Sequence, residues 1–310
     1  MAFSWRILAS SALALAALVG CATLDVKQGQ WIFGPTDRTW GNTAQLAEQM
    51  LDVWIDFDSK LTGQPVKLHA LWHAADDSNA PVLLYLHGAR WNVTGSANRI
   101  MRMQELGFSV LAVDYRGFGK TSKDTPSEAM AYEDARAAWD WLAAQHPQKQ
   151  RFIFGHSLGG AIAIDLAAQV GDETGTVVEG TFTSIPEVFS TLRWGWLPLS
   201  WLITQRFEAE KKVAKIGSPL LVVHGAQDSL IKPDLGRKLF DAALNPKRFV
   251  LVDGGSHHNT NWVGQPQYRE ALADLFGRVL SLCAQAGLAG VEVLAVDGTK
   301  LHANASERAI

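Results

Sequence analysis

The residues best equipped for chemistry lie at Gly155-His156-Ser157-Leu158-Gly159, between an apolar β-type run, Phe152 to Phe154, and a segment of helical character, Ala161 to Ala168. A serine flanked by glycines at a strand-to-helix turn has the makings of a nucleophile. So tight a turn leaves no room for a Cβ on either flank, lifts Oγ above the sheet, and aims N–H groups at the helix N-terminus toward developing negative charge. The implied chemistry is acyl transfer. A serine hydroxyl is a weak nucleophile near neutral pH and needs a base, which in turn needs an orienting acid. Downstream, the apolar run Pro219–Gly225 ends in His224-Gly225-Ala226-Gln227-Asp228, and Asp228 is the expected acid. Asp234, after Pro233, reads instead as a helix-cap residue. The next run, Phe249–Val252, leads into Asp253-Gly254-Gly255-Ser256-His257-His258-Asn259. Spacing from the glycines selects His257 as base, and counting back from Trp262 leaves His258 as the alternative. Two backbone donors are needed for an oxyanion. Leu158 N–H follows the serine, and Ala89 N–H belongs to His87-Gly88-Ala89-Arg90, where His87 is expected to hold the loop.

The elements that must position these groups are legible as alternation. Short apolar runs at Val53–Phe57, Val66–Trp72, Pro81–His87, Ser109–Asp114, Arg151–Phe154, Thr176–Thr181, Pro219–His224 and Arg248–Val252 predict strands. Continuously hydrophobic stretches such as Val82-Leu83-Leu84-Tyr85-Leu86 suit parallel strands covered on both faces. Helices are predicted over Ala97–Leu106, Pro126–Gln145, Leu158–Val170, Asp234–Ala243 and Gln267–Phe276. In the second, Ala131, Ala135, Ala138, Trp139 and Leu142 share one face. The expectation is an α/β domain with a doubly wound, mostly parallel sheet. Residues 183–215, with Trp194, Trp196 and Trp201, break the alternation and are expected as a short helical cap over an apolar cleft.

With these motifs in place, the chain is similar to the α/β-hydrolase superfamily over roughly Leu51–Phe276, through LLYLHGAR, VDYRGFGKT, GHSLGG, LLVVHGAQD and DGGSHHNTNW. Within it, the sequence resembles membrane-associated serine hydrolases related to protein depalmitoylases. The resemblance implies an α/β-hydrolase fold, a serine esterase or thioesterase acting on small-molecule or lipid-like acyl esters, and no cofactor or metal. A peptidase or amidase on the same fold, and a non-catalytic ligand-binding surface lipoprotein, are the alternatives. The bulky Arg90-Trp91 in the oxyanion loop departs from the small residues many relatives carry.

The ends of the 310-residue chain read differently from its middle. Arg6 precedes an apolar run, Ile7–Val19, too short for a membrane span, which needs about 20 residues. Leu18-Val19-Gly20-Cys21 then resembles a bacterial lipobox. On this reading residues 1–20 are a lipoprotein signal peptide and Cys21 is the lipidated residue that ties the protein to the membrane. Residues 21–50 are a tether and N-terminal segment, with Asp25 to Gly41 loosest, followed by the hydrolase domain at 51–281. Ala22 after the cysteine implies the cell envelope, at the outer membrane facing the periplasm. Residues 282–310 resemble the stretch around the first catalytic aspartate of a transposase, here Asp297, without the other carboxylates such an enzyme needs. They are expected to be disordered or loosely packed. With two cysteines, no disulfide framework is expected. A net charge of −3 gives no footprint for nucleic acid. Gly117-Phe118-Gly119-Lys120-Thr121 fails as a phosphate loop, because Asp114 stands where its first glycine belongs.

Overall fold

The computed structural model describes residues 20, 23–39, 41–192, 195–197 and 200–285, with side chains given up to residue 275. Cys21, Trp194 and residues 286–310, including Asp297, lie outside the described residues.

The predicted strand runs form one eight-stranded sheet in the order β1-β2-β4-β3-β5-β6-β7-β8. Its members are β1 (Leu51–Asp58), β2 (Pro65–His73), β3 (Val82–Leu86), β4 (Ser109–Val113), β5 (Arg151–His156), β6 (Gly175–Glu179), β7 (Leu220–Gly225) and β8 (Lys247–Val252). The hairpin β1–β2 and the β2–β4 pair are antiparallel. The other pairings, from β4–β3 through to β7–β8, are parallel. All five residues of β3 are buried, and alternate ones serve opposite faces. Val82, Leu84 and Leu86 pack with helix α4 (Glu128–Gln145) and α5 (Leu158–Ala167), whereas Leu83 and Tyr85 pack with α3 (Ala97–Glu105) and α10 (Gln265–Gln285). Each such fully buried side chain contributes about 1.5–3 kcal/mol relative to exposure. That two-sided burial is why β3 is hydrophobic throughout.

The expected tether is corrected in part. Residues 23–33 form a helix, α1, and its end enters the core. Phe33 is fully buried, edge-on to Phe118 at 6.2 Å and to Phe207 at 5.7 Å. The physical reason is its large apolar ring together with two backbone ties. Phe33 O accepts from Arg90 N at 2.6 Å, and Thr36 forms a bridge with Trp91. A short helix, α2 (Thr43–Ala47), follows.

Between β6 and β7 the chain carries α6 (Ile185–Ser190), a 3-10 turn (Ser200–Leu202) and α7 (Glu210–Val213), within the span expected as a cap. Trp196 and Trp201 are exposed there. Gln28 of α1 donates to Leu202 O at 2.7 Å and accepts from Thr204 N at 2.8 Å, so α1 and this insertion are bonded to each other. After β7 come α8 (Pro233–Ala242) and, after β8, α9 (Thr260–Val263). Asp234 lies in the first turn of α8. Helix α10 runs to Gln285, beyond its expected end at Phe276. Among the described residues no helix is long and apolar enough to cross a membrane.

Candidate active site

Ser157 stands between β5 and α5 with φ 56° and ψ −120°, in the left-handed half of the map. The flanking glycines permit that turn by lacking side chains. A Cβ on Gly155 would lie 2.2 Å from Gly159 O, and one on Gly159 would lie 2.1 Å from Leu86 O. The turn is pinned by its own backbone. Ser157 N donates to Glu179 O at 2.9 Å, while Ser157 O accepts from Gly160 N and from Thr181 Oγ1, each at 2.9 Å.

The expected partners come from the ends of two other strands. Asp228, buried just past β7, has Oδ2 2.8 Å from His257 Nδ1. His257, on the loop after β8, presents Nε2 3.0 Å from Ser157 Oγ. Asp228 is acceptor-only when ionised, so the proton of His257 sits on Nδ1 and its Nε2 lone pair faces the serine hydroxyl. The other oxygen, Asp228 Oδ1, accepts from Leu230 N at 3.0 Å and Ile231 N at 2.8 Å. Burial acts to raise the Asp228 pKa, but hydrogen bonds to His224 and His257 outweigh it and hold the carboxyl well below the ordinary carboxylate range. His258, the alternative base, is exposed and packs edge-on against His257 at 5.3 Å and against Trp91 at 5.7 Å. The geometry therefore separates the two histidines: His257 occupies the position between serine and aspartate.

The expected oxyanion loop abuts the serine. A Cβ on Gly88 would be 3.1 Å from Ser157 Cβ, so the loop backbone just ahead of Ala89 lies against it. Its backbone is fixed from below. Buried His87 donates from Nδ1 to Gly88 O at 2.7 Å and keeps Nε2 3.3 Å from Asp114, whose Oδ1 also accepts from Val93 N at 2.6 Å. Arg90 next in line has φ 82° and is tied to Phe33 by its N–H. Leu158 is the first residue of α5, where an N–H has no intrahelical acceptor.

Three polar residues escape sequence reasoning, Glu179 and Tyr268 buried and Arg99 half-buried. Arg99 of α3 pairs with Glu179 at 3.0 Å, and Tyr268 of α10 donates to the same carboxylate. They come from three distant segments without a shared motif, so no local signal marks them.

Comparison with known proteins gives a consistent picture. The family described as serine aminopeptidase, S33, matches residues 77–209. An uncharacterized protein of Mycobacterium tuberculosis H37Rv is 35% identical over 183 residues, 58% of this chain and 64% of its own length. The zebrafish (Danio rerio) lysophosphatidylserine lipase ABHD12 is 29% identical over 218 residues, 64% of this chain and 56% of the lipase. The chain thus spans less than two thirds of the length of either relative. Among solved structures, the esterase Pf2001 of Pyrococcus furiosus is superimposable with TM-score 0.61 at 19% identity, covering 79% of this chain and 97% of that one. Sheet order, turn geometry and these likenesses agree: the chain has the α/β-hydrolase fold.

Proposed function

We propose that this protein is a serine hydrolase that cleaves carboxylic ester or thioester bonds through an acyl-enzyme. The observation that carries this reading is the chain of contacts from Ser157 Oγ to His257 to Asp228, at 3.0 and 2.8 Å. Ser157 Oγ attacks the acyl carbon as His257 Nε2 takes its proton. The C–O or C–S bond then breaks, and the same proton passes to the departing alkoxide or thiolate. Water deprotonated by His257 attacks the acyl-enzyme, releasing the acid and restoring Ser157. Asp228 holds the imidazole tautomer and stabilises the cation, and the Leu158 and Ala89 N–H groups receive the oxyanion.

Lipid-like acyl esters are the favoured substrates. The lipase named among the relatives supports this, as do the exposed tryptophans of the insertion between β6 and β7. Cys21 as a lipidated anchor places the enzyme at the bacterial envelope, on the outer membrane facing the periplasm. The match to a family described as an aminopeptidase supports a second reading, amide cleavage by the same machinery.

Intact-mass analysis of the full chain in detergent, after a fluorophosphonate probe, tests the proposal. One adduct on the parent and none on Ser157→Ala is expected, with p-nitrophenyl ester turnover lost by at least about 10³-fold. Turnover retained in folded Ser157→Ala overturns it. Hydrolysis of an anilide in preference to its matched ester selects amide cleavage.

A further inference from the structure

We infer that Arg99 is a positioning residue for the catalytic base, a half-buried clamp that holds the His257 loop in register with Ser157. The inference rests on the reading of His257 as base. Arg99 Nη2 lies 3.2 Å from His257 O and 3.2 Å from His258 O, the two consecutive carbonyls of the base loop. Its Nε donates to Glu179 Oε1 at 3.0 Å. Its Nη2 also lies 3.0 Å from His156 Nε2. A guanidinium has donors only. His156 Nε2 must therefore present a lone pair there, and its 3.1 Å approach to His257 O is bridged by Arg99 rather than bonded directly.

The arrangement joins both sides of the reacting pair. Glu179 ends β6, its backbone O accepts from Ser157 N, and its carboxylate is held by Arg99 and Tyr268. His156 immediately precedes the nucleophile. A single cation therefore reaches the residue before the serine, the strand end that bonds the serine, and the backbone of the base. Loops positioned by side chains are otherwise free to drift, and a displacement of about 1 Å at a reacting group costs about 10²-fold in rate. The forked, planar group suits the task because its Nε and Nη2 donors diverge within one rigid plane, whereas an ammonium is a compact point charge on a flexible stem.

The charge also suits a neutral neighbour. Burial, followed by the charge of Arg99, holds His156 well below its ordinary value, so it stays an acceptor toward the guanidinium.

The test uses the full chain in detergent with p-nitrophenyl butyrate and the fluorophosphonate probe. Arg99→Lys keeps a cation beside Glu179 and tests the fork. Its expected result is a melting temperature near the parent's, KM within about twofold, and kcat lower by about 10²-fold. The downfield proton resonance of His257 Nδ1–H bonded to Asp228 is expected to broaden or vanish. Glu179→Gln, which keeps the shape and removes the ion pair, is expected to lose kcat in the same direction by less. Parental kcat in Arg99→Lys overturns the inference. So does a lowered kcat with the downfield resonance intact, or a loss confined to KM. If Arg99→Lys does not fold, Glu179→Gln decides by the same readouts. A parent that takes no probe at Ser157, or a His257→Ala variant as active as the parent, removes the proposed function and this inference with it. An active parent beside an unaltered Arg99→Lys removes the inference alone.

Discussion

Ser157 pays for its exposure with a backbone conformation that costs a non-glycine residue about 1–3 kcal/mol, offset by the three backbone ties at its N–H and carbonyl. The neighbouring His156 gives the residue scale its own prediction. Native His156 is held neutral, whereas the unfolded imidazole protonates near 6.5, so below that value the unfolded chain binds a proton the native state does not. Its contribution to stability is present above about pH 6.5 and falls as the pH drops through that window. His69 acts with the opposite sign. Burial lowers its pKa, but Asp114 and Asp52 outweigh this, so its contribution is lost as pH rises. The comparison is therefore made between parent and His156→Gln, by urea unfolding at about pH 5 and about pH 7.5. The variant is expected to lose less stability at the acidic pH than the parent does, and parallel pH curves refute the assignment. At this scale the sequence was informative wherever a residue sits at a strand end among glycines. Ser157, Asp228 and His257 are such residues. Arg99, Glu179 and Tyr268 were silent, because a buried ion pair between remote segments leaves no spacing to read.

Among the elements, the turn from β5 into α5 works only because α5 lies against the end of β3. Gly159 is the point of closest approach, with Leu86 O and His87 O in the way of any side chain. Gly159→Ala is expected to cost about 1–3 kcal/mol, the usual range for overpacking, because backbone atoms of a central strand cannot step aside. It is also expected to slow fluorophosphonate labelling by shifting Leu158 relative to the oxyanion loop. Gly171→Ala, where nothing lies within 4 Å, is the matched control and is expected to stay within about 0.5 kcal/mol. A Gly159→Ala protein with the control's denaturation midpoint contradicts this account. Central strands such as β3 were the most legible elements because two-sided burial makes them continuously apolar. Helix α1 was the least legible. Its inward positions include Gln28, whose partners Leu202 and Thr204 lie far along the chain, so its face does not look hydrophobic.

On the scale of the whole molecule, the question is what the N-terminal end does for the rest. If Cys21 carries the anchor, Cys21→Ser expressed in a Gram-negative host is expected to move from the membrane to the soluble periplasmic fraction with esterase activity retained. A variant that still sediments with membranes refutes the lipobox reading. The anchor position stands two residues ahead of α1, and α1 is bonded near its middle, through Gln28, to the insertion near Trp201 and at its end, through Phe33, to the loop of Ala89 and Arg90. Were Cys21 tethered, the catalytic cleft would have little rotational freedom relative to the bilayer. Encounters with a lipid-borne ester would then be a search within a plane, and turnover would follow the number of substrate molecules per unit area of membrane rather than their number per unit volume of periplasm.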